Sequence, residues 1–207
     1  AIARQYDYQV LIGCSDDDIK TELQVIKHLH ARRVDGLIIA SVMKSDTITK
    51  DVLKFGMPVI YIDRRIENDN ISWVSSDNFQ GAYELTDFLC ARGAKEIHFL
   101  GGLENISTSR NRLKGYREAL ESHGIAYDPS LVFQKDYSIN AGFELAKLAF
   151  EGRLTPPQAI ITASLTLLEG VLRYMRDNPS RVLRDLRIGT YDDHPFLDFL
   201  EMRIPSV

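Results

Sequence analysis

Eight apolar or β-rich runs of six to eight residues recur along the chain, and their spacing restricts the fold more than any other feature. They read YQVLIG (8–13), GLIIAS (36–41), PVIYID (58–63), SWVSSD (72–77), EIHFLGG (96–102), LVFQKDY (131–137), AIITAS (159–164) and LRIGTYDD (186–193). Several are apolar without alternation, as strands covered on both faces are. Helical patterns fill most of the gaps. Ile19, Leu23, Ile26 and Leu29 form one stripe, Leu85, Phe88 and Leu89 a second, and Leu113, Tyr116 and Leu120 a third that Gly124 closes. Strand, helix, strand at this cadence predicts an α/β fold of parallel sheets joined by right-handed crossovers.

The link between PVIYID and SWVSSD breaks the rule, because RRIENDNI is too short and turn-rich for a helix. A chain passing between two sheets has that appearance. The sequence therefore divides into an N-terminal lobe, residues 1–77, and a C-terminal lobe, residues 78–207, which NFQGAYELTDFLCARG opens.

Composition excludes several classes. The 207 residues carry a net charge of −4, so these residues supply no basic surface for gripping a phosphate backbone. The apolar runs are strand-sized and the start, AIARQYDYQ, has no signal-like apolar region, which argues against a membrane span and a secretion signal. Cys14 and Cys90 have neither CxxC nor zinc spacing and are expected as reduced thiols in a cytoplasmic protein.

Ligands of such sheets collect at the carboxyl ends of the strands. The loops there hold CSDDD, ASVMKSD, IDRR, SSDN, GGLENISTSRNR, TASLT and TYDDHP, rich in hydroxyls, carboxylates and arginine. That mixture suits hydroxylated or anionic small molecules. Arg110 and Arg112 raise a specific question, because cations near a helix start are disfavoured by about 0.3–1 kcal/mol each. Asp16, Asp17 and Asp18 read as a helix cap rather than a magnesium cluster. Asp192, Asp193 and His194 lack an accompanying nucleophile motif, the five histidines lack HExxH spacing, and GGLEN lacks the phosphate-loop patterns. No cofactor and no catalysis are expected.

VDGLIIAS, GMPVIYIDR, VSSDNFQGAYELTDFL, RGAKEIHFLGG, TSRNRLKGYREALESHGI, PQAII and RIGTYDD stand in the order and spacing of a known family. Together they resemble the effector-binding core of the lactose and galactose repressor family of bacterial transcription regulators. The resemblance implies a two-lobed, periplasmic-binding-protein-like fold with a sugar or another small ligand between the lobes. It implies effector contacts from Arg112, three residues before the Gly of LKGY, and from Thr108, Asp77, Asp192 and Asp193, with Ser41 and Ser164 added from the strand-end loops. Arg112 would turn toward the ligand, whose oxygens and the N–H groups of the helix start would offset the dipole. Arg110 has no such assignment and reads as a solvated or lobe-bridging side chain.

Where many relatives have AND after AIIT, this chain has Ala163, Ser164 and Leu165, so two sugar-binding side chains are absent. TASLTLLEGVL followed by DDHPFLDFL instead resembles the fructose-repressor and sucrose-regulator branch, which favours a phosphosugar and leaves free fructose or sucrose open. The resemblance also implies a homodimer, with a face near Ile19, Leu23, Ile26 and residues Asp46 to Phe55. Operator DNA would be bound through a helix-turn-helix not in this chain. A first strand before residue 1 and a return segment after RIPSV are expected as well. The alternatives are a solute-binding protein of a transporter and a doubly wound hydrolase using the TYDD carboxylates.

Overall fold

The apolar runs pair into two separate parallel sheets, one in each of two units, Ala1–Ser76 and Asp77–Val207. The computed structural model describes residues 2–42, 54, 56–64, 72–152, 157–182 and 185–207. The segment Asp46 to Phe55, expected at a dimer face, lies outside them apart from Lys54.

In the first unit a single helical turn, α1 (Ile2–Gln5), precedes α2 (Ile19–Ala31), β1 (Leu37–Ile39), β2 (Val59–Ile62) and β3 (Ser72–Val74). The sheet order is β1-β2-β3, with Ile38 opposite Ile60 and Ile60 opposite Ser72. Alternation along each strand sends Leu37, Ile39 and Tyr61 to the face where they form a core with Ile26 of α2. Ile26 is therefore a core residue, whereas Ile19 on the same helix is exposed.

The expected strand at 8–13 does not form. Val10 and Ile12 are exposed, Ile12 to 91%, and no described strand pairs with the run. An apolar run becomes a strand only when a neighbour completes its hydrogen-bond ladder. Asp18 caps α2, its carboxylate accepting from the Thr21 N–H at 2.8 Å and from the Thr21 hydroxyl, and these bonds hold its pKa below the ordinary value. Asp17 pairs instead with Arg64 at 2.5 Å.

The second unit contains α3 (Asn78–Ala91), β4 (Ile97–Gly101), α4 (Ser107–Ser122), β5 (Val132–Gln134), α5 (Ile139–Glu151), β6 (Ala159–Thr162), α6 (Leu165–Asp177) and β7 (Arg187–Thr190). Its sheet order is β5-β4-β6-β7, all parallel. Both central strands are buried throughout, which explains why their sequences show no polar alternation. Ile97, Phe99 and Ile161 face one way and pack with Leu85, Leu89, Tyr116 and Leu120 of α3 and α4. Leu100 and Ile160 face the other way, against Leu145, Leu167, Val171 and Tyr174 of α5 and α6. At the margin, Ser206 forms a parallel bridge with Thr190, so the last residues run beside β7. No helix among the described residues is long and apolar enough to cross a membrane.

Glycine permits the closest helix contacts. A Cβ on Gly115 of α4 would strike the Phe79 carbonyl and stand 2.9 Å from the Tyr83 nitrogen, both on α3. Gly142 and Gly170 play the same part where α5 meets α6.

Candidate functional site

The order of the second sheet reverses at β4, with β5 added on one side and β6 on the other. A parallel sheet opens a crevice at the carboxyl ends of its strands where such a reversal occurs. Helix α4 starts beside that end, after the β4 loop, with Ile106 as an N-cap that makes no side-chain bond. The start of the helix thus has no acceptor from its cap residue.

Arg112 is the sixth residue of α4, so it stands in the second turn rather than at the terminus. The helix-dipole penalty expected from sequence falls off within the first turn and is not its main cost. Burial is. Arg112 shares a buried stripe with Thr108, Gly115, Tyr116 and Ala119, and is only 7% exposed. A charge placed there needs hydrogen bonds to offset its lost hydration.

Three groups hold it. Its Nε donates to Oδ1 of Asn78 at 2.7 Å, and its Nη1 donates to the carbonyl oxygen of Ala163. Its Cζ lies 3.6 Å from the centroid of the Tyr191 ring. Asn78 opens α3, Ala163 follows β6, and Tyr191 follows β7, so the guanidinium joins three elements at one end of the sheet. All three partners are neutral. No ion pair joins Arg112 to a carboxylate among the described residues. Burial raises the Tyr191 pKa, the Arg112 charge lowers it less, and the nearby Asp192 and Asp77 carboxylates add to the rise.

The other residues singled out from sequence take distinct places. Asp77, Ser164 and Asp192 are each chain neighbours of a group that holds Arg112, so the fold brings these three and Arg112 to one end of the second unit. Asp77 caps α3 by accepting from the Gln80 N–H at 2.9 Å. Ser164 caps α6 through the Leu167 N–H at 3.2 Å and shares a hydrogen bond with Thr166. Asp192 takes a left-handed backbone, φ 72°, that turns the chain sharply after Tyr191. Thr108 is buried one turn before Arg112 on the same stripe. Asp193 is engaged with the Ser206 hydroxyl at 2.9 Å. Ser41 belongs to the first unit, where it is buried and donates to Oε1 of Glu22 at 2.7 Å. Arg110 is exposed and donates to the Glu104 carbonyl at 3.0 Å.

Asn78 and Tyr191 were not singled out from sequence. Each adjoins a carboxylate that was, in SSDN and TYDD, and a hydrogen-bonding partner for an arginine on a buried helical stripe was the signal to seek. Among the described residues no group of three His, Cys, Asp or Glu is placed to hold a metal ion.

A family model described as periplasmic binding proteins and sugar binding domain of LacI family matches residues 1–179. The chain belongs to that family. Within it, the sucrose operon repressor of Klebsiella pneumoniae is 36% identical over all of this chain and 61% of the repressor. The fructose operon regulatory protein of Vibrio cholerae is 32% identical over 99% of the chain and 62% of its own length. The chain thus spans about three fifths of these curated relatives. Among LacI-family structures, the Cra transcriptional dual regulator from Pseudomonas putida, solved in complex with fructose 1-phosphate, superposes with a TM-score of 0.86 at 30% identity, covering 99% of this chain and 74% of that one. The fold class expected from the LacI-family resemblance, parallel sheets flanked by helices in a periplasmic-binding-protein-like core, agrees with these matches.

Proposed function

We propose that the chain is the effector-binding core of a sugar-responsive transcription regulator, with a sugar or sugar phosphate bound at the Arg112 end of the second unit. The observation that carries this reading is the buried guanidinium at the carboxyl ends of β6 and β7, held by Asn78, Ala163 and Tyr191. Thr108 adds a hydroxyl on the same face, and the start of α4 adds N–H groups that favour anions. Asp77, Ser164 and Asp192 flank the site and supply acceptors for ligand hydroxyls. Fructose 1-phosphate in the Pseudomonas putida regulator, and relatives named for sucrose and fructose operons, support a fructose-type ligand.

The regulator works in the cytoplasm as a homodimer, and operator DNA is bound by a domain outside these residues. Effector binding regulates DNA affinity only if the ligand interacts unequally with the two conformational states of the protein. The matched relatives are regulators, which sets the transport reading and the hydrolase reading aside. Footprinting of DNA selected from its own genome by the full-length protein, with and without sugar phosphates, tests the proposal. Protection that changes with a sugar derivative supports it; protection indifferent to every sugar derivative overturns it.

A further inference from the structure

Arg112 is a buried cation whose partners are an amide oxygen, a peptide carbonyl and an aromatic face. Such partners offset part of its lost hydration but leave its charge uncompensated. Of the three, only Asn78 could become a carboxylate with almost no change of shape, because Asp is its isostere. Asn78 is itself buried, and its Oδ1 stands 2.7 Å from the arginine Nε. A carboxylate there would form a buried ion pair and cancel the charge that a ligand meets. Neither nearby carboxylate, Asp77 nor Asp192, forms an ion pair with Arg112 among the described residues. Asp77 and Asp192 are exposed, and Asp77 spends an oxygen on capping α3.

Resting on the reading of Arg112 as the effector contact, we infer that Asn78 is a specificity-determining residue that selects anionic over neutral ligands, without touching them, by keeping Arg112 uncompensated. An anion entering the site supplies the missing countercharge in a poorly hydrated environment, whereas a neutral sugar offers only hydroxyl dipoles. In this chain, asparagine at position 78 therefore favours a phosphosugar, and an aspartate there would remove that preference.

The test combines melting curves and titration calorimetry on the full-length protein, using inorganic phosphate, fructose 1-phosphate and fructose. Three variants are compared with the wild type: Asn78→Asp, Asn78→Ser and Asn78→Asp in an Arg112→Gln background. The wild type should be stabilised by phosphate and fructose 1-phosphate far more than by fructose. Asn78→Asp should melt higher without ligand, bind fructose 1-phosphate about tenfold or more weakly, and keep its fructose affinity within about threefold. Asn78→Ser, which keeps a neutral acceptor, should retain the preference for the phosphosugar. In the Arg112→Gln background the gain in melting temperature should vanish, which separates the ion pair from the general benefit of an acid at a helix start.

If Asn78→Asp keeps the wild-type preference for fructose 1-phosphate, or its thermal gain survives in Arg112→Gln, the inference fails while the effector reading stands. If no sugar derivative binds the wild type but phosphate stabilises it and Asn78→Asp removes that effect, the sugar reading fails and the anion selectivity stands. A wild type indifferent to both phosphate and fructose 1-phosphate overturns the inference.

Discussion

The guanidinium carbon of Arg112 lies over the Tyr191 ring, 3.6 Å from its centroid, in a contact from which solvent is largely excluded. A desolvated cation–π contact contributes about 2 kcal/mol, against roughly 0.5–1 at an exposed site. Tyr191→Leu should therefore weaken effector binding by about 1–2 kcal/mol, through a less well fixed guanidinium. Tyr191→Phe keeps the ring and gives up the hydroxyl, with its long bond to the Asp77 carbonyl, 3.4 Å, and its hydrogen bond with Arg112, so it should lose less affinity than Tyr191→Leu. Calorimetry on the two variants checks this; equal losses in both would assign the effect to the hydroxyl instead.

Arg112→Ala removes the charge-assisted contact itself. Effector affinity should fall by at least about 2 kcal/mol, while circular dichroism at room temperature stays that of the wild type. Undiminished affinity would show that the guanidinium is a structural brace between α3, β6 and β7 and not a ligand contact.

Gly115 lets α4 approach the backbone of α3, where an added methyl would strike the Phe79 carbonyl and stand 2.9 Å from the Tyr83 nitrogen. Backbone atoms cannot step aside as side-chain ends can. Gly115→Ala should cost about 1–3 kcal/mol of stability by overpacking, measured by urea denaturation. Because Arg112 and Asn78 lie on these same two helices, effector affinity should fall as well.

Much of this architecture was legible because burial imposes a pattern. AIITAS and EIHFLGG read as two-sided strands, and the structure buries β6 and β4 throughout. YQVLIG had the same look but no ladder, since pairing depends on a neighbour that local composition does not name. At the site, Arg112 stood out as a cation near a helix start, three residues before the Gly of LKGY. Its cost is burial rather than the helix dipole, and that burial depends on the elements packed over the second turn of α4. Asn78 and Tyr191 were hidden for another reason: they lie 34 and 79 positions from Arg112, as 112 − 78 and 191 − 112, and only the folded sheet brings them together.

The two cysteines differ sharply. Burial, with a smaller contribution from Asp87, pushes the Cys90 thiol up from 9.0 to about 11, whereas Cys14 is exposed. As pH rises past 9 the unfolded chain loses this proton before the folded one does, so stability present below pH 9 should be lost between pH 9 and about 11. Cys90→Ala should flatten that part of the curve of melting temperature against pH. A thiol reagent at pH 8 should modify Cys14 promptly and Cys90 only after denaturant is added. Equal reaction rates would contradict the burial argument.

Titration calorimetry of the full-length protein against fructose 1-phosphate, fructose 1,6-bisphosphate, fructose and sucrose tests the central claim most directly. The account predicts a dissociation constant on the order of micromolar for a phosphosugar, with both free sugars weaker and the difference lost in Arg112→Ala. Free sugar bound as tightly as its phosphate, or a phosphosugar affinity untouched by Arg112→Ala, would contradict it.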